Sequence, residues 1–492
     1  MKMKLLSCAL VAATMAADAS AMTDEALRKI VDARLAGDRT GACMAVAVVE
    51  RDAVARAFRC ADPEDAARID ADTAFEIGSV SKTMTSTLLA DLILQGKASL
   101  DDPLSDYLPE GTKVPDFEGK PILLRHVVTH TSGLPALPSR LPKDAASIAD
   151  PYAKLDEAAL LASLGDATLG AAPGTRFEYS NFASMLLSYA VARRADTDFE
   201  TLLKQRLFAP LGMSKAYVAT PPEGVRAAMG HAPNRMPVPA WTFASSLAGV
   251  GGVRATLDDM VRYVQGNLRV SESAISPALE LAQRKVGEQP PMAMNWMLAR
   301  AGDRDVLVHE GGTGGFSSFV SVDRQQERGV VILSDTTWNS IGSLGSLGLH
   351  LVDPSFPLGK PRKLVLPPRE LLDGLSGEYQ LQGAMKMRLQ PRDGKLFVHP
   401  DGQAEYEMAY DDAGDFYPLA FDAVLRPQKK ANGGYAFSWM QMGGMVPATR
   451  IDVDDPARTS PVPSGAQLAA YAGDYPLAPG FVLAVRVRDG QL

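Results

Sequence analysis

Apolar residues in this chain follow two different periods, and the change of period marks out its parts. Met84, Leu88 and Leu92 recur at helical spacing until Gly96 stops the run, which predicts a helix opening near Ser79. Met44 to Glu50 and Ala53 to Phe58 read instead as two short strands joined by the two-residue turn Arg51-Asp52. In that register Glu50 faces Ala53, and the same pairing sets Cys43 opposite Cys60 as candidates for a disulfide. Val306 to Val308, Phe316 to Val322 and Val330 to Ser334 read as further strands, the last two linked by the polar turn Asp323 to Arg328. Between hairpin and late strands lies a helix-rich stretch from about Ser79 to Leu298. The expected architecture is an α/β domain with a mainly antiparallel sheet flanked by helices.

Beyond Asp353 the pattern changes. Asp353 to Pro368 is proline-rich and reads as a linker. It is followed by short alternating runs such as Lys386 to Gln390 and Lys395 to Val398, separated by Asp-Gly and Gly-Gly turns, which predict a small antiparallel barrel or sandwich. Gly377-Glu-Tyr379-Gln-Leu381 returns as Gly473-Asp-Tyr475-Pro-Leu477, and Arg392-Asp-Gly-Lys-Leu396 as Arg488-Asp-Gly-Gln-Leu492, both at an offset of 96 residues. An ungapped repeat of this kind predicts that a second barrel begins near Gln467, cut short at Leu492. The expected divisions are therefore 1–21 as a leader, 22–352 as the α/β domain, 353–369 as a linker, 370–453 as the barrel, 454–466 as a second linker and 467–492 as the start of the repeat.

Composition narrows the function classes. With 492 residues, 46% hydrophobic and 22% charged, the chain can fill more than one core and is neither disordered nor fibrous. A net charge of −8 and the lack of a basic run argue against nucleic acid as a partner. At the N-terminus Met1 to Lys4 is basic, Leu5 to Ala17 apolar, and Ala19-Ser20-Ala21 a small-residue cleavage site. The apolar stretch is too short for a stable membrane anchor, so a periplasmic or secreted protein is expected, in a compartment that permits disulfides.

Three segments carry chemistry. In Ser79-Val80-Ser81-Lys82, residues three apart share a helix face, so the Lys82 amine can reach and activate the Ser79 hydroxyl. About a hundred residues on, Tyr179-Ser180-Asn181 presents a phenol and an amide to one side, or else supplies a core tyrosine and a helix-capping asparagine. The third is His309-Glu310-Gly311-Gly312, ending a buried strand whose glycines let a substrate lie close against its exposed edge. His126 and His130 have helix-like spacing, but no acidic or cysteine ligands accompany them. No metal and no organic cofactor is expected.

In this order and context the three motifs resemble those of the serine β-lactamase and penicillin-binding-protein superfamily, most of all class C β-lactamases, serine DD-peptidases and D-aminopeptidases. Leu124 to Pro135, Pro210 to Met213 and Ala248 to Met260 are similar to its connecting segments, so the resemblance spans roughly residues 23 to 350. It implies a β-lactamase/transpeptidase-like fold, with Ser79 as the acylated nucleophile, Lys82 as its base and Tyr179 as the proton shuttle. It further implies that Asn181 and the His309-Glu310-Gly311 segment bind substrate, and that the N–H groups of Ser79 and Gly312 form the oxyanion hole. A catalytic domain followed by two lipocalin-like barrels resembles the D-aminopeptidase arrangement. Class C enzymes usually carry lysine and threonine where this chain has His309 and Glu310. A mostly neutral histidine and an added anion suit an amine-bearing peptide or a neutral ester better than a β-lactam carboxylate. The expected function is thus a secreted serine peptidase or esterase acting on small peptide-like amides or esters, derived from D-amino acids or the cell wall. A class C-like β-lactamase and a non-catalytic penicillin- or peptide-binding protein are the alternatives.

Overall fold

A computed structural model describes residues 21–142, 149–288, 290–337, 341–381, 386–401, 404–420, 423–430, 435–441, 444–451, 472–478 and 481–487. Residues 1–20 of the expected leader, the expected second linker and the final Arg488 to Leu492 stretch of the repeat lie outside the described residues.

Among the described residues, eleven strands build the first unit. They are β1 (Cys43–Val49), β2 (Val54–Cys60), β3 (Thr73–Glu76), β4 (Arg226–Ala227), β5 (Arg254–Thr256), β6 (Gly287–Glu288), β7 (Pro291–Met292), β8 (Met297–Ala301), β9 (Arg304–Gly312), β10 (Ser317–Asp323) and β11 (Arg328–Ser334). Eight of them form one antiparallel sheet in the order β2-β1-β11-β10-β9-β8-β7-β6. Strands β6 to β8 fall at the end of the stretch read from sequence as helical, and they widen the sheet beyond β9. The hairpin pairs Val49 with Val54 and Cys43 with Cys60, and a disulfide joins the two cysteines.

Every residue of β1 and β10 is buried, because both faces of the sheet are covered. That is why these strands read as continuous apolar runs rather than alternating ones. On one face Val46, Val48 and Ile332 pack with Leu27 and Val31 of the Asp24–Leu35 helix and Leu347 and Leu351 of the Gly345–Val352 helix. On the other, Ala45, Ala47, Val320 and Val331 join the large core of the helical region.

At the centre of that region runs the Ser81–Leu94 helix, buried from Ser81 through Leu92 and so covered on all sides although it carries several polar residues. Its hydroxyls are internally satisfied: Thr83 Oγ1 donates to the Val80 carbonyl at 2.7 Å and Thr87 Oγ1 to the Thr83 carbonyl at 3.0 Å. Strand β3, paired with β4 and β5 in a small separate sheet, leads through a 3-10 turn at Gly78–Val80 into this helix. Ser79 thus sits where strand becomes helix, next to the end of β9.

The second unit is a closed antiparallel barrel of eight strands: β12 (Gly377–Leu381), β13 (Lys386–Arg392), β14 (Lys395–Pro400), β15 (Tyr406–Tyr410), β16 (Phe416–Pro418), β17 (Val424–Lys429), β18 (Tyr435–Gln441) and β19 (Gly444–Arg450). Pairing of β12 with β19 closes it. Asp393 (φ 54°) and Gly394 (φ 75°) make the tight β13–β14 turn, a conformation that favours Asp-Gly. Leu389, Val398, Phe416, Leu425 and Phe437 fill the interior together with Leu371, Leu372 and Leu375 of the Arg369–Leu375 helix. Among the described residues the barrel therefore holds a packed core. Last come β20 (Gly473–Ala478) and β21 (Phe481–Val485), an antiparallel pair whose first strand opens on the glycine that repeats Gly377.

Candidate active site

The Ser79 turn is fixed from three directions. Ser318 Oγ of β10 donates to the Ile77 carbonyl at 2.7 Å, and Ser81 Oγ donates to the Gly78 carbonyl at 2.8 Å. Gly78 is in a left-handed conformation (φ 49°), and a Cβ there would fall 2.6 Å from the Gly312 nitrogen. Only glycine lets the nucleophile-bearing turn lie this close to β9.

Lys82 is 1% exposed, and its Nζ lies 2.8 Å from Ser79 Oγ and 2.7 Å from the Val250 carbonyl. No carboxylate is among the causes acting on its pKa; burial alone drives it well below the usual lysine range. The amine is thereby favoured in its neutral form. Val250 holds one N–H, and at 2.8 Å from Ser79 Oγ a neutral amine is within reach of the serine proton.

Tyr179 stands over this pair, with Lys82 Nζ 5.0 Å from its ring centroid. Burial raises the phenol above its ordinary range, opposed in part by contact with the Ser79 side chain, so it stays protonated. Ser180, not Asn181, caps the Asn181–Arg194 helix, its Oγ accepting from Ala183 N–H at 3.0 Å. Asn181 occupies the first helical position, 7% exposed, and its amide contacts the Tyr152 hydroxyl.

On β9 the residues divide by parity. Leu307 belongs to the core on the Ser79 side of the sheet, and His309 and Gly311 share its face. A Cβ on Gly311 would collide with the Ile77 carbonyl and Ser318 Oγ, so this glycine is required by the same close approach as Gly78. His309 is 2% exposed, and its Nδ1 donates to the Glu310 carbonyl at 2.7 Å. That bond fixes the neutral tautomer, with Nε2 left as a buried acceptor that no described protein group satisfies. Burial, and then the Lys82 charge, push its pKa down to about 3.

Glu310 corrects the sequence reading. Its side chain lies on the other face with Val306 and Val308, beneath the Gly345–Val352 helix, where Ser343 Oγ donates to it at 3.3 Å. The alternation of a β-strand makes it impossible for His309 and Glu310 to face the cleft together. Burial raises the Glu310 carboxyl to about 6.

The Beta-lactamase family model matches residues 27–339, which contain Ser79, Lys82, Tyr179, Asn181 and the His309 to Gly312 segment. The chain belongs to the Beta-lactamase family. Over 308 residues it is 30% identical to the D-alanyl-D-alanine-carboxypeptidase/endopeptidase AmpH of Escherichia coli K12, covering 59% of this chain and 78% of that one. A beta-lactamase of the same strain is 28% identical over 304 residues, 54% of this chain and 76% of its own length. Among solved structures, the octameric penicillin-binding protein homologue of Pyrococcus abyssi aligns with a TM-score of 0.57 at 19% identity, covering 87% of this chain and 100% of its own. That last likeness is one of fold, and it extends past the residues of the family model. As a β-lactamase-type enzyme, this protein is a serine hydrolase.

Three contributors to this Beta-lactamase-family site escaped the sequence reading. The Val250 carbonyl is a backbone atom, visible in sequence only as part of the glycine-rich segment Ala248 to Val253 that lets the chain pass close to Lys82. Tyr152 meets Asn181 from a distant loop and stacks on Phe243, ring centroids 5.0 Å apart. His130, weighed only as a zinc ligand, stacks against Tyr179 instead, while His126 Nδ1 accepts from the Leu123 N–H at 3.1 Å.

Proposed function

We propose that this protein is an exported serine peptidase or esterase that forms an acyl-enzyme at Ser79 with small peptide-like amides or esters. The observation that carries the reading is the buried Lys82 amine 2.8 Å from Ser79 Oγ, its pKa lowered by burial. In acylation Lys82 takes the hydroxyl proton as Ser79 Oγ bonds to the substrate carbonyl carbon. The N–H groups of Ser79 and Gly312 hold the resulting oxyanion, and Asn181 holds the acyl-side amide. Collapse breaks the bond to the leaving amine or alcohol, which receives its proton from the Lys82 ammonium through the Tyr179 hydroxyl. Water then enters, gives a proton back through the same groups, and releases the acid and free Ser79.

His309 bears on substrate. A neutral imidazole whose Nε2 is a buried acceptor that no described protein group satisfies suits an N–H or ammonium donor, and offers no cation to a carboxylate. The carboxypeptidase/endopeptidase named among the relatives fits peptide-like substrates, and the reading favours internal or amidated bonds over free-acid termini. A second reading, turnover of β-lactams, is favoured by one observation: Glu310 faces away, so it does not repel a substrate carboxylate.

The test is a comparison of D-amino-acid amides, D-Ala-D-Ala peptides as free acids and as amides, short-chain esters and nitrocefin on the wild type and Ser79→Ala. The reading expects Ser79-dependent turnover, faster for amidated than free-acid peptides. Rapid nitrocefin turnover with inert peptides would move the protein to the second reading.

A further inference from the structure

His130 grips the segment that carries Tyr179 at three points. Its backbone carbonyl accepts the Glu178 N–H at 2.8 Å, its Nδ1 accepts the Ser180 N–H at 3.2 Å, and its ring stacks on that of Tyr179, centroids 4.3 Å apart and planes inclined by 28°. The residues on either side of the phenol are thus held by one residue from a different part of the chain. His130 is 0% exposed and adopts a left-handed backbone (φ 54°), uncommon for a residue with a side chain. Since Nδ1 accepts a hydrogen bond, the proton of the neutral ring is on Nε2, a buried atom that no described protein group satisfies. Burial holds its pKa well below the ordinary histidine value, which keeps the ring neutral. A strained backbone, an unsatisfied polar atom and a stacked ring converge on one residue beside the reacting groups.

We propose that His130 is a positioning residue that sets the Tyr179 hydroxyl in line to protonate the leaving group. The proposal rests on the acyl-enzyme reading above, and its signature differs from that of a merely structural histidine. Amide leaving groups need a proton as the C–N bond breaks, whereas p-nitrophenolate leaves without one. Loss of Tyr179 alignment therefore slows amides far more than activated esters.

The experiment compares wild type, Ser79→Ala, Tyr179→Phe, His130→Ala and His130→Asn on a D-amino-acid amide and a p-nitrophenyl ester, with melting temperature as the measure of folding. In His130→Ala, kcat/KM, which reports acylation, falls by about 100-fold on the amide and by less than about fivefold on the ester, tracking Tyr179→Phe. Asparagine tolerates a left-handed backbone and supplies an acceptor for Ser180 N–H, so His130→Asn recovers about tenfold of the amide rate. Equal losses on both substrates, or no loss on either, overturn the proposal. Imidazole 15N NMR on the wild type reads the clamp without any turnover: one histidine must stay neutral and Nε2-protonated down to pH 5, and must vanish in His130→Ala. Titration of that signal near its ordinary value overturns the proposal while leaving Ser79 catalysis untouched. Absence of Ser79-dependent turnover in the wild type overturns the functional reading itself, and the leaving-group role with it.

Discussion

Lys82 and Glu310 are both buried ionisable groups, yet they serve opposite ends. In the proposed mechanism Lys82 accepts the Ser79 proton as a neutral amine, and burial lowers its pKa in that direction. As pH falls through that lowered value the amine is protonated and can no longer act as base, so kcat/KM declines toward acid. Tyr179, raised by burial, adds no descending limb near neutrality. Lys82→Arg keeps a cation that cannot lose its proton, and is expected to lower kcat/KM by about 1,000-fold in a pH–rate profile. Glu310 tests the correction made by the structure. Its carboxyl binds a proton more tightly folded, at about 6, than its ordinary 4.5. The folded state therefore gains from protonation in acid, and loses that gain as pH rises from about 4.5 through about 6. Glu310→Gln is expected to raise stability by roughly 2 kcal/mol at pH 7 and by little at pH 4 in denaturant titrations, with activity within about twofold. Loss of activity would place Glu310 back in the cleft. Ser79 and Lys82 were legible because three-residue helical spacing is local. Glu310 was misread because a motif does not state strand parity, and His130 was missed because its partners lie fifty residues away in sequence.

Two elements meet at the site, the Ser79 turn and the end of β9, and the gap between them is set by glycines. Gly311→Ala would drive a methyl group into the Ile77 carbonyl and Ser318 Oγ, neither of which can move without breaking the 2.7 Å bond between them. The expected cost is about 2 kcal/mol in thermal or urea unfolding, with at least a 100-fold loss of kcat because strand and turn are forced apart. Near-normal kcat in that variant would mean the close approach is not needed for catalysis. The strands β9 to β11 and the first hairpin could be read from their apolar runs and turns. β6 and β7 could not: at two residues each they carry no period, and only pairing beside β8 makes them part of the sheet. The Ser81–Leu94 helix was recognised by its spacing, but its burial on all sides comes from tertiary packing.

The whole molecule joins a catalytic unit to a packed barrel through the linker, which is more than a spacer. Arg362 of the linker pairs with Asp411, 12% and 0% exposed at their side chains, and its guanidinium lies 5.1 Å from the Tyr417 ring centroid. Val365 N–H donates to the Tyr410 carbonyl at 3.0 Å, extending the linker along the barrel. Arg362→Met leaves Asp411 without this cation and is expected to cost the barrel about 3 kcal/mol in calorimetry, with catalytic rates within about twofold. A parallel fall in activity would show that the barrel supports the site. The linker was legible as proline-rich, and the barrel as regular short strands. Its filled interior was not, because alternation alone cannot distinguish a core from a cup.

The most direct measurement of the central claim is intact-mass and peptide mapping of the protein quenched during turnover of a slow ester or a penicillin. The account predicts a single acyl adduct on Ser79, lost in Ser79→Ala and accumulating when Tyr179 is replaced by phenylalanine. An adduct on another residue, or turnover that persists in Ser79→Ala without one, would contradict it.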